Sequence, residues 1–142
     1  ITPNGVGLSP DEDRLYYAET MTGKVRYWEL DSPGVIKVAG HQLASTAGAP
    51  SVLLGQVPGD GRVDSLAVDS EDHVCVATIR NGGVTDIAPD GTTTHVASGD
   101  GLTTNVCFGG PDMRTAYVTC SKTGTLKTTT WPRPGHRLHF QP

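Results

Sequence analysis

The chain has 142 residues, enough for one domain with a buried core, and its 18 glycines and 10 prolines punctuate short apolar runs rather than cluster. That spacing favours many short strands over disorder or a collagen-like chain. A net charge of −4 argues against a nucleic-acid-binding surface. No run approaches the roughly 20 apolar residues that span a bilayer, and no signal-peptide pattern is present, so the expectation is a cytoplasmic protein that binds neither nucleic acid nor membrane.

In chain order, residues 4–8 (Asn-Gly-Val-Gly-Leu) place a polar residue ahead of apolar ones two and four positions later, which is strand periodicity. Ser9-Pro-Asp-Glu-Asp13 supplies turn residues, residues 14–19 read as a second strand, and Gly23 opens a third at 24–28. A weaker fourth strand is expected at 35–38. Residues 41–62, rich in Ala, Ser, Gly and Pro, read as a long surface loop. The pattern then restarts: Asp64-Ser-Leu-Ala-Val68, a turn at 69–72, a strand at 73–78, Gly83, a strand at 84–87 and another at 93–97. It restarts again at Thr104-Asn-Val-Cys-Phe108, with a turn at 109–112, a strand at 115–120, Gly124 and a strand from 125. Arg137-Leu-His-Phe140 is the expected closing strand after Trp131-Pro-Arg-Pro-Gly135. Cys75, Cys107 and Cys120 all fall in apolar runs and read as buried free thiols.

The offset from the opening polar residue to the glycine is 19 residues from Asn4 to Gly23, 19 from Asp64 to Gly83 and 20 from Thr104 to Gly124. A repeat of about 40–45 residues built from four short strands is a propeller blade. The expectation is therefore an all-β chain of three four-stranded antiparallel blades forming one unit over 1–142. Blade one covers about 1–40, the loop about 41–62, blade two about 63–99 and blade three about 100–142. Three blades do not close a ring, so a second propeller half is expected as partner, either another copy or an N-terminal half. A β-sandwich is the competing fold, weakened by the fixed offsets.

Pro3-Asn-Gly-Val-Gly-Leu-Ser-Pro-Asp11, Asp64-Ser-Leu-Ala-Val-Asp69 and Thr104-Asn-Val-Cys-Phe-Gly-Gly-Pro-Asp112 resemble three successive inner-strand motifs in the C-terminal half of the gluconolactonase/regucalcin (senescence-marker protein) family. Tyr117-Val-Thr119 and the Trp131–Gly135 ending resemble the closing portion of its bacterial members. The resemblance implies half of a six-bladed β-propeller and a metal-dependent hydrolase of lactones. It implies one divalent cation in the central channel, with Asn4 and Asp64 at two of the ligand positions and Asp64 as general base. A Glu ligand and a substrate-contacting Asn of the family would lie upstream of Ile1. Where the family has Asp-Gly, this chain has Asp64-Ser65.

In such a propeller Asn4, Asp64 and Thr104 each open an inner strand and so converge on one mouth of the channel, with Glu19, Thr78 and Cys120 returning to it. Thr104, Asn105 and Glu19 are the expected channel-lining residues. An amide oxygen with a carboxylate is a hard-oxygen set, suited to Ca²⁺ first, with Mg²⁺, Mn²⁺ or Zn²⁺ as alternatives. The five histidines lack metal spacing and read as loop or surface residues, and no G-x-S-x-G elbow suggests a serine hydrolase. The competing function is a non-catalytic propeller fragment acting in assembly or binding.

Overall fold

A computed structural model describes residues 2–37 and 51–139. The described residues form three antiparallel sheets and no helix, so none among them is long and apolar enough to cross a membrane. In the first sheet β1 (Pro3–Leu8), β2 (Arg14–Glu19) and β3 (Lys24–Ser32) lie in order. The outer edge of β3 is shared: its last residues pair with the short β4 (Val35–Ile36), its first with β5 (Val52–Gln56). The middle sheet runs β6 (Arg62–Val68), β7 (Val74–Ile79), β8 (Gly83–Ile87) and β9 (Thr93–Val96). The third runs β10 (Thr103–Gly109), β11 (Thr115–Cys120) and β12 (Thr125–Thr130).

Two expectations change here. Val52–Gln56 falls where a surface loop was expected, yet it is a strand that buries Leu54 in the core; residues 41–50 of that segment lie outside the described residues. The expected closing strand does not form over 137–139, and Phe140 lies outside the described residues. The prolines at 132 and 134 have no N–H to offer a ladder, and the segment leaves the sheet. The third sheet therefore has three strands where four were expected.

The repeat seen in the sequence recurs in the turns. Each sheet's first hairpin closes on a left-handed residue, Glu12 (φ 56°), Asp72 (φ 64°) or Met113 (φ 58°). In each, that residue's N–H donates three residues back, to the carbonyls of Ser9, Asp69 and Gly110. Three copies of one turn fix three copies of one hairpin.

Two apolar seams hold the sheets together. Tyr16, Ala18 and Val25 of the first sheet pack with Val63, Val74, Val76 and Ile87 of the middle one. On the middle sheet's other face Cys75 and Val84 pack with Val106, Phe108, Ala116, Val118 and Trp131. Strand periodicity sends Val74 and Val76 one way and Cys75 the other, so β7 serves both seams. The outer face of the first sheet is different. Val6 opposes Tyr17 and Leu8 opposes Leu15, which opposes Trp28, and opposed residues share a face. That face leaves Val6, Leu8 and Leu53 exposed and stacks Tyr17 on Trp28 with ring centroids 4.2 Å apart.

Candidate functional site

The first strand of every sheet carries a β-bulge at the same place. On β1, register passes from Pro3↔Glu19 to Val6↔Tyr17, leaving Asn4 and Gly5 against Ala18 alone. On β6 it passes from Val63↔Thr78 to Leu66↔Val76, leaving Asp64 and Ser65 against Ala77. On β10 it passes from Thr103↔Cys120 to Asn105↔Thr119, with Thr104 the extra residue. A bulge bends its strand and re-aims a side chain. Asn4, Asp64 and Thr104 thus hold equivalent bulged positions on three adjacent first strands.

Gly5 shows how close two of these strands come. A Cβ there would sit 2.6 Å from the Leu66 nitrogen and 2.8 Å from the Asp64 carbonyl oxygen, so only glycine lets β1 pass β6 at this point. The backbone carrying Asn4 therefore abuts the backbone carrying Asp64. Asn4 is exposed and Asp64 half-buried. Arg62, two residues before Asp64, reaches the Met21 sulfur at 3.2 Å, across to the β2–β3 turn.

The remaining expected residues have local partners. Thr104 Oγ1 shares hydrogen bonds with Thr119 Oγ1 (2.9 Å) and Ser121 Oγ (2.8 Å). Asn105 is exposed, with Oδ1 accepting from the Val106 N–H at 2.8 Å. It helps line a cavity of about 290 Å³ bordered by β1, β6 and β10, whose wall is otherwise largely apolar. Glu19 is buried at the end of β2, and its Oε2 accepts from the Thr22 hydroxyl at 2.8 Å. Thr78 donates to the Gly83 carbonyl within its own hairpin, and Cys120 is buried in the second seam. Cys75 is buried as expected, but Cys107 is exposed.

A second polar cluster escaped the sequence reading. Asp69, Cys75 and Asp86 offer three possible ligand atoms within 4.8 Å of one another. Arg133 already fills that position, donating to both Asp69 and Asp86, while His73 Nδ1 lies 2.9 Å from Asp86 Oδ1. Burial works against the Arg133 charge, yet the two carboxylates hold its pKa above the ordinary arginine value. Burial pushes the Cys75 thiol well up, so it stays protonated and inert. The arrangement is a buried ion network with its own cation. His73, in the connection just ahead of β7, belongs to it, whereas His95 lies on strand β9 rather than in a loop and bonds Thr85 and the Gly82 carbonyl. Asp86 lies between Val84 and Ile87 on a strand that is buried throughout.

Comparison with known proteins places the chain. Residues 1–122 match the family described as the SMP-30/Gluconolactonase/LRE-like region. Pentonolactonase XacC of Haloferax volcanii is 31% identical over 120 residues, which cover 82% of this chain and 37% of that protein. The 6-deoxy-6-sulfogluconolactonase of Pseudomonas putida is 29% identical over 139 residues, covering 95% of this chain and 44% of that one. The solved structure of regucalcin, a calcium-binding protein from Agrobacterium tumefaciens, matches with a TM-score of 0.67 at 21% identity, over 96% of this chain and 50% of that one. The chain spans less than half the length of the two curated relatives. It belongs to the SMP-30/gluconolactonase family, as its three motifs implied.

Proposed function

We propose that this family member is one half of a six-bladed β-propeller and carries, at Asn4 and Asp64, part of a divalent-cation site where lactones are hydrolysed. The shared bulge carries this reading. A structural repeat needs no bulge, whereas three in register, two of them on abutting strands, suit side chains turned toward a common ligand. The relatives' lactonase names and the exposed apolar face of the first sheet, fit for another blade, also support it.

Asn4 offers a neutral amide oxygen and Asp64 an anionic one. Two protein oxygens are a partial shell for Ca²⁺, which takes 6–8, and the completing half would provide more. When bound, the cation supplies polarisation of the lactone carbonyl. Asp64 takes a proton from the attacking water as the oxygen–carbon bond forms. The ring C–O bond then breaks, and its oxygen recovers the proton to give the hydroxy acid. Thr104 and Asn105 line the channel beside the substrate, and Glu19 stands at its rim.

The test is Asp64→Ala in the assembled propeller. Cation-dependent lactone hydrolysis should vanish with the melting temperature little changed. Near-native kcat with native cation affinity would overturn the reading. An assembly that forms but hydrolyses no lactone with any divalent cation would favour a non-catalytic propeller half.

A further inference from the structure

We infer that residues 131–139 form the floor of the channel, so that in the assembled propeller ligands enter and leave only at the Asn4/Asp64 mouth. The inference rests on the propeller reading above. This segment leaves β12 and crosses all three sheets at their first-hairpin turns, the end opposite the bulges. On the third sheet, the Gly135 N–H donates to the Met113 carbonyl at 2.8 Å. On the middle sheet, the Ser70 N–H donates to the Pro134 carbonyl (2.9 Å), the His136 N–H donates to the Val68 carbonyl (3.0 Å), and Arg133 joins Asp69 and Asp86. On the first sheet, His139 meets Glu12. A strap fastened to every sheet stays in place as a wall.

Its position relative to the cavity gives it a role. His136 and Leu138 line the 290 Å³ cavity together with Val6, Leu8, Asn105 and Cys107. They also line a second cavity of about 290 Å³ that continues toward Glu12 and His139. The strap's side chains therefore lie across the axis bordered by β1, β6 and β10. Gly135 sets the approach: a Cβ there would fall 2.2 Å from the Phe108 Cβ, so the strap meets β10 only because this residue has no side chain. Asn105 stands toward the bulge end of the cavity, and His136 and Leu138 stand at the strap end.

Cys107 reports on the floor. It lines the cavity, and Ala67, at the equivalent place on β6 with a sheet already packed on that face, still lines it half-buried, so Cys107 keeps a path to the channel when that face is covered; Cys75 and Cys120 are buried. Iodoacetamide alkylation of Cys107 would be followed by mass spectrometry in the assembled protein. The double substitution Leu138→Gly with His139→Ala loosens the far half of the strap and leaves Arg133 in place. It should speed alkylation of Cys107 about tenfold without exposing Cys75 or Cys120. Asn4→Trp, which narrows the open mouth and leaves the strap untouched, should slow it. Equal Cys107 rates in the native protein and both variants would overturn the floor. Labelling of all three cysteines would mark unfolding of the double variant, and Asn4→Trp then decides alone: an unchanged Cys107 rate with the mouth narrowed would show a second entrance. A protein without lactonase activity that still shows strap-dependent alkylation would remove the function proposed above and leave the floor standing.

Discussion

The middle and third sheets are copies of one pattern, yet their third strands lie in opposite environments. Every residue of β8 (Gly83–Ile87) is buried, while every residue of β12 (Thr125–Thr130) is exposed. Composition follows: β8 reads Gly-Val-Thr-Asp-Ile and β12 reads Thr-Leu-Lys-Thr-Thr-Thr. The middle sheet has a neighbour on both faces and a fourth strand, β9, on its edge. The third sheet has one such neighbour among the described residues, and no strand among them pairs beyond β12. Burial in this fold thus comes from stacking sheet on sheet more than from any property of the strand itself.

The comparison can be broken first where the two sheets are tied together. Arg133 arrives from the third sheet's tail and sits between Asp69, fully buried, and Asp86 of the middle sheet. Arg133→Met would leave two buried carboxylates facing each other without a cation. Removing one partner of a buried ion network typically costs about 3–5 kcal/mol. Urea denaturation of the variant should show a loss of that size. A loss below about 1 kcal/mol, the range of exposed ion pairs, would mean the network is solvated and the middle sheet less closed than described.

A core truncation should come next. Val76 is fully buried in the seam with the first sheet, and Val76→Ala removes two methyl groups from a packed site. About 2 kcal/mol should be lost, from transfer and residual cavity together. The same seam carries a pH dependence. The Tyr16 hydroxyl donates to Asp72, and burial pushes its pKa up to about 12. The folded state therefore keeps the Tyr16 proton where an unfolded tyrosine, at about 10, has released it. The stability this gives is whole below about pH 10 and is lost as pH rises through about 12. Tyr16→Phe should flatten that alkaline decline in urea midpoints; an unchanged slope would place the tyrosine in water.

These differences show what could be read from residues alone. The strands were legible because alternation and turn residues coincide, as in Arg14–Glu19 after Ser9–Asp13. The bulges were not. Because each copy carries one at the same place, the offsets from Asn4, Asp64 and Thr104 stay nearly equal and conceal the extra residue. Val52–Gln56 was hidden by loop-like composition just upstream, and its pairing to β3 spans a long insertion that no local pattern encodes. The tail misled for the opposite reason. Leu138 between Arg137 and His139 alternates like a strand, but Pro132 and Pro134 had already taken the chain off the sheet. Motifs located Asn4 and Asp64, whereas the Arg133 network joins residues 47 and 64 positions apart. Such a network is a product of the fold.

The smallest effect is the most discriminating. Leu126 lies on β12 at 65% exposure, on the face it shares with Thr119 and Asn105. In the chain by itself, Leu126→Ala should change stability by no more than about 0.5 kcal/mol, as at other exposed positions. If the chain is half of a propeller, that face is covered in the assembled protein, and Leu126 behaves there as Val76 does in the middle sheet. The same substitution should then destabilise the assembly by about 1–3 kcal/mol and raise the dissociation constant between the halves. Melting curves of the chain and of the assembly, each with and without the substitution, measure both arms. A large effect in the isolated chain would show that β12 is already packed. An equally small effect in both states would show that the third sheet's outer face is a true surface, and that completion of the ring proceeds through the first sheet's Val6/Leu8/Trp28 face alone.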